Sequence, residues 1–303
     1  MIKDNSLLLA EKISQQLQST GDFLTLSCQY EYAMPSFTFN VQSKNKIEMV
    51  QTSTRVSVID TGIIMFEPSE TVADKDIILS CAIHGNETAP IEICAKLVQQ
   101  LILGELTVAQ RVLFLFGNPP AINIGKRFVK ENLNRLFSGA HGYTDKQMAT
   151  DTLSESYRAC LLENTVAAFF THQQASGVER ARYHYDLHTA IRASKQEKFA
   201  VYPYRHGKAW SKEQLAFLLA CGVNTVLLSN TPTTSFSYFS SCRFSADAFT
   251  VELGKVRPFG ENNMDNFSAI TQTLTRLIAG EEVDVKPYKA DDFNIYAVSQ
   301  TIN

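Results

Sequence analysis

The stretch Ile77-Ile-Leu-Ser-Cys-Ala-Ile83, followed at once by His84-Gly-Asn-Glu87, decides how the rest of the chain is interpreted. An apolar run of this length with polar residues on both sides is typical of a fully buried strand of an α/β sheet. Sheets of this kind bind ligands beyond the carboxyl ends of their strands. His84 and Glu87 therefore lie at the predicted functional edge, and we expect Gly85 between them to permit a sharp turn.

His84 and Glu87 are a weak metal signal on their own, because His-x-x-Glu often occurs by chance. Their spacing nevertheless allows an imidazole nitrogen and a carboxylate oxygen to bind one ion. A third ligand from another strand end is needed before the sequence predicts a metal site.

The composition is that of a globular protein. The chain has 303 residues, of which 45% are hydrophobic and 19% are charged, so it can bury a large core in one α/β domain. The net charge of -3 argues against a general nucleic-acid binder. An anionic small-molecule substrate must then be held by local Arg or Lys side chains.

The sequence also predicts where the protein is located. The first ten residues have too short an apolar core for a secretory signal, and no segment has the apolar length of a membrane span. The six cysteines have no Cys-x-x-Cys spacing, and we interpret them as reduced core residues of a cytoplasmic protein: Cys28, Cys81, Cys94, Cys160, Cys221 and Cys242. We expect no membrane or nucleic-acid partner, and the sequence leaves open whether the chain forms a homo-oligomer.

Strands and helices alternate along the chain, which is typical of an α/β fold. We predict a helix over residues 1–22 and hairpin strands over 23–66 that form an edge of the sheet. Further helices are predicted over 90–103, 153–173, 211–220 and 264–279. Further strands are predicted over 111–116, 182–188, 198–202, 224–228 and 248–253, with short strands over 283–286 and 294–298.

The strand that contains His184, Asp186 and His188 offers the third ligand. These side chains share one face, but the two histidines lie about 13 Å apart along a strand and cannot bind the same ion. His188 lies at the strand end and is the better candidate, whereas His184 is interpreted as a structural or surface residue. Asp186 is suited to fix the tautomer of the metal-bound His188.

Three ligands leave zinc one open position, the usual arrangement of a catalytic site. Glu252 ends another buried strand, where a carboxylate is costly unless it is paired or used. In the plainer interpretation, backbone N–H groups or Arg257 satisfy Glu252. Beside three metal ligands, the role of general base is favoured.

The loop after the strand at 111–116 carries Arg127, Asn134 and Arg135, and Arg192 follows His188 closely. Most arginines are solvated surface charges, so each of them alone says little. Together at the functional edge they form a candidate carboxylate clamp, because guanidinium groups bind carboxylates bidentately.

Five sequence blocks, in this order, closely resemble the succinylglutamate desuccinylase and aspartoacylase family: His84-Gly-Asn-Glu-Thr-Ala-Pro90, Gly117-Asn-Pro-Pro-Ala121, Lys126-Arg127 with Leu133-Asn-Arg135, Asp186-Leu-His-Thr-Ala-Ile-Arg192, and Val251-Glu-Leu-Gly-Lys255. The resemblance implies a zinc-carboxypeptidase-like α/β fold, with a mixed central sheet flanked by helices. It implies one zinc ion bound by His84, Glu87 and His188, with Glu252 promoting the attack of water. By the same resemblance Arg127, Asn134 and Arg135 bind the substrate carboxylate and polarise the amide carbonyl.

Within that family, these blocks are more similar to bacterial succinylglutamate desuccinylases than to aspartoacylases. The implied reaction cleaves N-succinyl-L-glutamate into succinate and L-glutamate, the last step of arginine catabolism by the succinyltransferase pathway. Two alternatives stay open: an aspartoacylase-like or other zinc N-acyl-amino-acid hydrolase or carboxypeptidase, and a catalytically silent, zinc-stabilised binding protein. Histidine and carboxylate ligands also leave cobalt and manganese open as the metal.

The family comparison also implies a domain division. Residues 1–282 are expected to form the catalytic domain, in which 1–66 supply the N-terminal helix and edge strands. Members of the family usually carry a C-terminal β-rich domain that borders the active site. We therefore expect residues 283–303 to be the start of a C-terminal β-segment, with the rest of that domain missing or truncated.

Overall fold

The structure is a computed structural model that describes residues 2–32, 34–44, 51–143, 152–172, 177, 179–190 and 196–298. The strands are β1 (Phe37–Lys44), β2 (Gln51–Asp60), β3 (Ile63–Pro68), β4 (Lys75–Cys81), β5 (Arg111–Phe116), β6 (Ala181–Ala190), β7 (Phe199–Tyr202), β8 (Thr225–Leu228), β9 (Asp247–Lys255) and β10 (Asn294–Ala297). The α-helices are α1 (Ile2–Thr20), α2 (Phe23–Gln29), α3 (Thr88–Ile102), α4 (Pro119–Asn123), α5 (Glu155–Thr171), α6 (Lys212–Ala220), α7 (Phe236–Phe244) and α8 (Ser268–Ala279). Short 3-10 turns cover Leu133–Arg135, Met264–Phe267 and Ala290–Asp292.

All ten of these strands form one mixed sheet, in the order β1-β2-β3-β5-β4-β6-β9-β7-β8-β10. Strands β5, β4, β6 and β9 are parallel neighbours in the middle of the sheet. Strands β1, β2 and β3 extend the sheet as antiparallel neighbours, and β7 runs antiparallel to β9. The carboxyl ends of the four central parallel strands therefore meet at one edge, as the sequence predicted.

The central strands are buried on both faces, which explains their continuous apolar runs. Along β4, Ile77 and Leu79 belong to the larger apolar cluster, with α1, α3, α6 and α8. Ile78 belongs to a second cluster on the opposite face, with α5 and α7. The predicted fold of a mixed central sheet flanked by helices is therefore confirmed.

Four predictions about elements are wrong in detail. Residues 23–29 form α2 instead of the start of a hairpin, because the Asp22 side chain caps the helix by accepting from the Thr25 N–H at 3.0 Å. Helix α7 was not predicted. The central strand ends at Cys81 because Ala82 adopts a left-handed conformation with φ 56°. No strand covers residues 283–286, whereas the strand predicted over 294–298 is β10, which pairs with β8.

All six cysteines are free. Four are buried and Cys28 is partly buried, but Cys242 is exposed, so the prediction of a core position is wrong for that residue. Within the described ranges, every helix is too short or too polar to cross a lipid bilayer.

Candidate metal centre

The candidate centre lies where β4 and β6 end. After β4, the left-handed turn at Ala82 leads into the segment that carries His84 and Glu87, and α3 begins at Thr88. His188 lies near the carboxyl end of β6, which is the neighbour of β4 in the sheet. The loop that follows α4 runs past this edge and supplies further polar groups. Sequence-distant residues thus converge because parallel strands end at the same side of the sheet.

His84, Glu87 and His188 are brought together as the sequence predicted. The Nδ1 atom of His84 lies 2.9 Å from Glu87 Oε1, and the Nδ1 atom of His188 lies 2.9 Å from Glu87 Oε2. One ligand atom from each of the three residues lies within 4.8 Å of the others. Each residue is only 2% exposed, so the cluster is protected from bulk water.

Neighbouring acceptors direct both histidines toward this cluster. The Nε2 atom of His84 lies 2.9 Å from the Oδ1 atom of Asn132, which also accepts from the Asn134 N–H at 3.1 Å. The Nε2 atom of His188 lies 2.9 Å from Asp186 Oδ2. Because oxygen acceptors face both Nε2 atoms, these nitrogens carry protons and both Nδ1 atoms point at the centre. Asp186 thus has the position expected of a residue that fixes the tautomer of His188.

The donor set fits a metal ion. Two imidazole nitrogens and one carboxylate are ligands that zinc commonly takes at catalytic sites. The Nδ1 atom of His84 is buried and makes no hydrogen bond with the described residues, despite its 2.9 Å distance from Glu87. Burial lowers the pKa of His84, which favours the neutral imidazole that metals require.

The charge of Glu87 is also favoured. Burial alone would raise the pKa of this carboxyl group, but His188 and His84 together hold it well below its usual range. Thr189 N–H donates to Glu87 Oε2 at 3.0 Å. Glu87 is therefore an ionised acceptor in the middle of the cluster, suited to bind a cation.

Glu252 lies on β9 directly beside His188, with which its Cα is paired in the sheet. Burial raises the pKa of Glu252 to about 7, and this is the net result after the lowering effect of His188 and the raising effect of Glu87. Its Oε2 atom is buried and has no hydrogen-bond partner in the part of the chain that the structure describes. In the described ranges no ion pair joins Glu252 to Arg257, so the plainer interpretation of a carboxylate neutralised by that arginine has no support.

The predicted substrate residues occupy three different environments. Arg127 reaches the centre, where its Nη1 atom donates to Glu87 Oε1 at 2.6 Å. Asn134 is buried, and its Oδ1 atom accepts from the Phe236 N–H at the start of α7 at 3.1 Å. Arg135 is exposed, and its Nη1 atom donates to the Asn134 carbonyl oxygen at 3.1 Å. Arg192 lies outside the described residues.

Sequence reasoning did not identify Asn132 and Glu155. Asn132 orients His84, and the buried Glu155 carboxylate accepts from the N–H groups of Val129, Lys130 and Glu131 at 2.6, 3.3 and 3.4 Å. The signal for Asn132 is its place as the cap of the 3-10 turn at Leu133–Arg135. Glu155 gave no signal, because the groups that donate to it, these backbone N–H groups and the Asn118 side chain, lie 24 to 37 residues away.

Residues 73–278 match the family model described as the succinylglutamate desuccinylase/aspartoacylase catalytic domain. The chain belongs to this family. It is 50% identical to the succinylglutamate desuccinylase of Shewanella pealeana over 290 residues, which are 95% of this chain and 79% of the relative. It is 49% identical to the enzyme of that name from Pseudoalteromonas atlantica over 293 residues, with 96% and 79% of the two chains covered.

Solved structures of the succinylglutamate desuccinylase/aspartoacylase family share the fold. The crystal structure of succinylglutamate desuccinylase from Chromobacterium violaceum matches with a TM-score of 0.78 and 35% identity, over 92% of this chain and 80% of that one. The Vibrio cholerae structure of the same name matches with a TM-score of 0.75 and 32% identity, over 92% and 76% of the two chains. The family resemblance inferred from the five sequence blocks is therefore confirmed.

Proposed function

We propose that the chain is a zinc-dependent amidohydrolase that cleaves N-succinyl-L-glutamate to succinate and L-glutamate. The observation that carries this proposal is the buried cluster of His84, Glu87 and His188 beside Glu252, whose Oε2 atom has no hydrogen-bond partner among the described residues. The choice of substrate is supported by relatives about half identical to this chain that are named succinylglutamate desuccinylase. In this proposal one zinc ion is bound per chain.

His84, Glu87 and His188 would hold the ion. Bound there, zinc would act as a Lewis acid toward the amide carbonyl and lower the pKa of a water molecule from about 15.7 toward about 7. The residues themselves restrict where this chemistry takes place, because both Nδ1 atoms and the Glu87 carboxylate converge on one buried point.

Glu252 is assigned the proton transfers. A carboxyl group whose pKa is about 7 can both accept and release a proton near neutral pH. It would take the proton from the attacking water and then deliver it to the departing amine of glutamate. Its unpartnered Oε2 atom leaves one oxygen available for this exchange.

Arg127, Asn134, Arg135 and Arg192 are proposed to bind the anionic substrate. Arg127 lies at the edge of the centre through its contact with Glu87 and is the residue best placed to donate to the amide carbonyl oxygen. Charged donors fixed at the position where negative charge develops are often the largest contribution to acyl transfer. Asn134 and Arg135 follow on the same loop, where they would meet the carboxylates of succinylglutamate.

This activity would be the last step of arginine catabolism by the succinyltransferase pathway. A cytoplasmic location is part of the proposal, and the six free cysteines support it because reduced thiols are typical of that compartment.

The test is the release of succinate from N-succinyl-L-glutamate by purified protein, stripped of metal and then supplied with zinc. N-acetyl-L-aspartate and a small peptide serve as competing substrates, and His188→Ala serves as the control that should not respond to zinc. We expect zinc-dependent release from the succinyl substrate and little from the others. Preferential hydrolysis of acetylaspartate or of the peptide would support the related amidohydrolases instead. Tight binding of substrate and stoichiometric zinc without turnover would support a silent binding protein.

A further inference from the structure

A continuous chain of buried hydrogen bonds connects helix α7 to the candidate metal centre. Its five members lie on three elements: Ser240 on α7, Ser80 on β4, and His184, Asp186 and His188 on β6. The successive distances are 2.7 Å from Ser240 Oγ to His184 Nδ1, 2.8 Å from His184 Nε2 to Ser80 Oγ, 2.5 Å from Ser80 Oγ to Asp186 Oδ1, and 2.9 Å from Asp186 Oδ2 to His188 Nε2. None of the five is more than 2% exposed.

The chemistry of the groups fixes the direction of every hydrogen bond. An ionised carboxylate can only accept, so the single hydroxyl proton of Ser80 is donated to Asp186. Ser80 must then accept from His184, whose Nε2 atom therefore carries the proton. Burial lowers the pKa of His184 to about 4, so its Nδ1 atom is unprotonated at neutral pH and accepts from the Ser240 hydroxyl.

The same reasoning applies at the other end of the chain. Asp186 accepts the Nε2 proton of His188, so that the Nδ1 atom of His188 faces Glu87 and the centre. A carboxylate that receives a second hydrogen bond from Ser80 is held in one orientation. The orientation of the ligand imidazole thus depends on Asp186, and the orientation of Asp186 depends on Ser80.

We propose that Ser80, His184 and Ser240 are positioning residues that set the tautomer and orientation of the metal ligand His188 through Asp186. The proposal rests on the proposed function only in requiring that His188 bind a metal ion. Partners of metal ligands in such outer positions typically change metal affinity 10- to 100-fold when they are removed. We therefore expect these buried residues to control zinc affinity although none of the three contacts the centre.

A purely structural role is the competing explanation, since the chain also fastens α7 to the sheet. Ser237 provides a matched control for it. This serine is on the same helix and is 1% exposed, and its hydroxyl bonds the Thr250 hydroxyl at 2.8 Å instead of a member of the chain of five. Ser237→Ala removes a buried hydroxyl from α7 and a bond to the sheet, and it leaves the path to His188 intact.

The experiment measures the zinc dissociation constant of the metal-free protein by competition with a chromophoric chelator, together with the unfolding midpoint of each variant. We expect Ser80→Ala to weaken zinc binding about tenfold, Ser240→Ala about threefold, and Ser237→Ala not measurably. In the Ser80→Ala background, adding Ser240→Ala should cause no further loss, because the chain is already broken there. His184→Leu should resemble Ser80→Ala, whereas His184→Gln, which keeps a donor for Ser80, should recover most of the affinity.

Nitrogen NMR of the metal-free protein gives a second measurement that does not depend on activity. His184 should appear as a neutral imidazole protonated at Nε2, and Ser240→Ala should alter its Nδ1 resonance. A Nδ1-protonated His184 would overturn the proposal. The proposal would also be overturned if Ser80→Ala and Ser237→Ala weakened zinc binding equally, in proportion to their loss of stability. If the wild-type chain bound no zinc at all, both the proposed function and the positioning role would fail. If the wild type and the variants bound zinc with equal affinity, only the positioning role would fail.

Discussion

At the scale of single residues, the proposed mechanism depends on Glu252 as the group that exchanges protons. We expect Glu252→Gln to bind zinc with unchanged affinity and to lower kcat by roughly 10² or more, because the amide keeps the shape but cannot take up a proton. Succinate release under saturating zinc measures kcat, and competition with a chelator measures zinc affinity. Turnover equal to that of the wild type would remove Glu252 from the mechanism.

The buried His184 should make the stability of the protein depend on pH. Its pKa falls from 6.5 to about 4 on folding because burial disfavours the charged imidazole. Between these values the unfolded chain binds more protons, so stability is complete above pH 6.5 and is lost as the pH falls toward 4. From pH 7 to pH 5 this group alone should cost about 2 kcal/mol of unfolding free energy.

Urea unfolding of metal-free wild type and of His184→Gln at both pH values tests this prediction. The loss between pH 7 and pH 5 should be smaller in the variant by that amount, since glutamine does not titrate. Equal losses in the two proteins would mean that His184 is not the group that couples protonation to folding. The comparison cancels the other carboxyl and imidazole groups, which both proteins share.

The sequence predicted which of these residues converge, but not how they are oriented. His84, Glu87, His188 and Glu252 could be selected because each follows or ends a buried strand, and the ends of parallel strands meet. The role of Ser80 depends on the register that places it opposite Asp186, and a serine in an apolar run carries no sign of this. Asn132 likewise acts only because its loop folds back onto His84.

At the scale of elements, the junction between β4 and α3 depends on a close approach to α4. Gly85 was expected to allow a sharp turn, but its φ is not in the left-handed region, and what it provides is space. A Cβ atom at this position would lie 2.2 Å from the carbonyl carbon of Ala121, a backbone atom that cannot move alone. The segment that carries His84 and Glu87 therefore tolerates no side chain at residue 85.

We accordingly expect Gly85→Ala to lower the unfolding free energy by about 2 kcal/mol or more. The substitution should also weaken zinc binding, because it displaces His84. Gly125→Ala is the matched control. Gly125 lies shortly after α4 and has φ +62°, and a Cβ atom added there would meet no atom of the described residues within 4 Å. It should cost only the backbone strain, about 1 kcal/mol, and leave zinc affinity unchanged. Equal zinc affinities in the two variants would contradict this explanation.

Glu155, the first residue of α5, contacts the loop over residues 124–135 that carries the proposed substrate residues. Its carboxylate accepts hydrogen bonds from the three backbone N–H groups of residues 129–131, which lie between Arg127 and Asn134. Glu155→Gln replaces one acceptor oxygen by a donor that faces these N–H groups. We expect a loosened loop and a KM for succinylglutamate about tenfold higher.

The control for Glu155 is Glu163→Gln, two turns later on α5. Glu163 accepts from the Gly139 N–H and pairs with His141, both of which lie after the loop over residues 124–135. Steady-state kinetics should show an unchanged KM for that variant. If both substitutions raise KM equally, the effect arises from α5 as a whole and not from the contact with residues 129–131.

The elements that the sequence did not predict are those whose conformation depends on tertiary contacts. Helix α7 consists of Phe, Ser, Tyr, Cys and Arg, which, arginine apart, are not strong helix formers. It is fixed instead by its surroundings: the Phe236 ring stacks on Phe137 at 4.2 Å, and Ser240 bonds His184. Helix α2 alternates polar and apolar residues as a strand does, and only Asp22 as a cap indicated otherwise. Buried strands were predictable because their apolar runs carry the signal themselves.

At the scale of the whole molecule, the candidate centre and a cluster of buried charges lie at opposite ends of the central strands. The candidate centre lies at the carboxyl ends of the parallel strands, whereas the cluster of charges lies at their amino ends. There Asp76 Oδ1 lies 2.6 Å from Arg111 Nη1 and 2.7 Å from Arg180 Nε, and Arg111 also meets Glu67 at 2.8 Å. These residues come from the starts of β4 and β5, the residue before β6, and β3, so the cluster joins four neighbouring strands.

We expect Asp76→Asn to destabilise the fold without affecting the centre. Asp76 is 1% exposed, and its loss leaves two buried guanidinium groups with one carboxylate between them, a change that typically costs about 3 kcal/mol or more. Asp74→Asn is the control, because the Asp74 side chain is 63% exposed and its pair with Lys75 should contribute less than about 1 kcal/mol. Urea midpoints should separate the two variants, while zinc affinity and kcat/KM stay at the wild-type values in both. A fall in zinc affinity for Asp76→Asn at temperatures where it remains folded would show that the charge cluster and the candidate centre are coupled. It would contradict the expectation that the cluster contributes to stability alone.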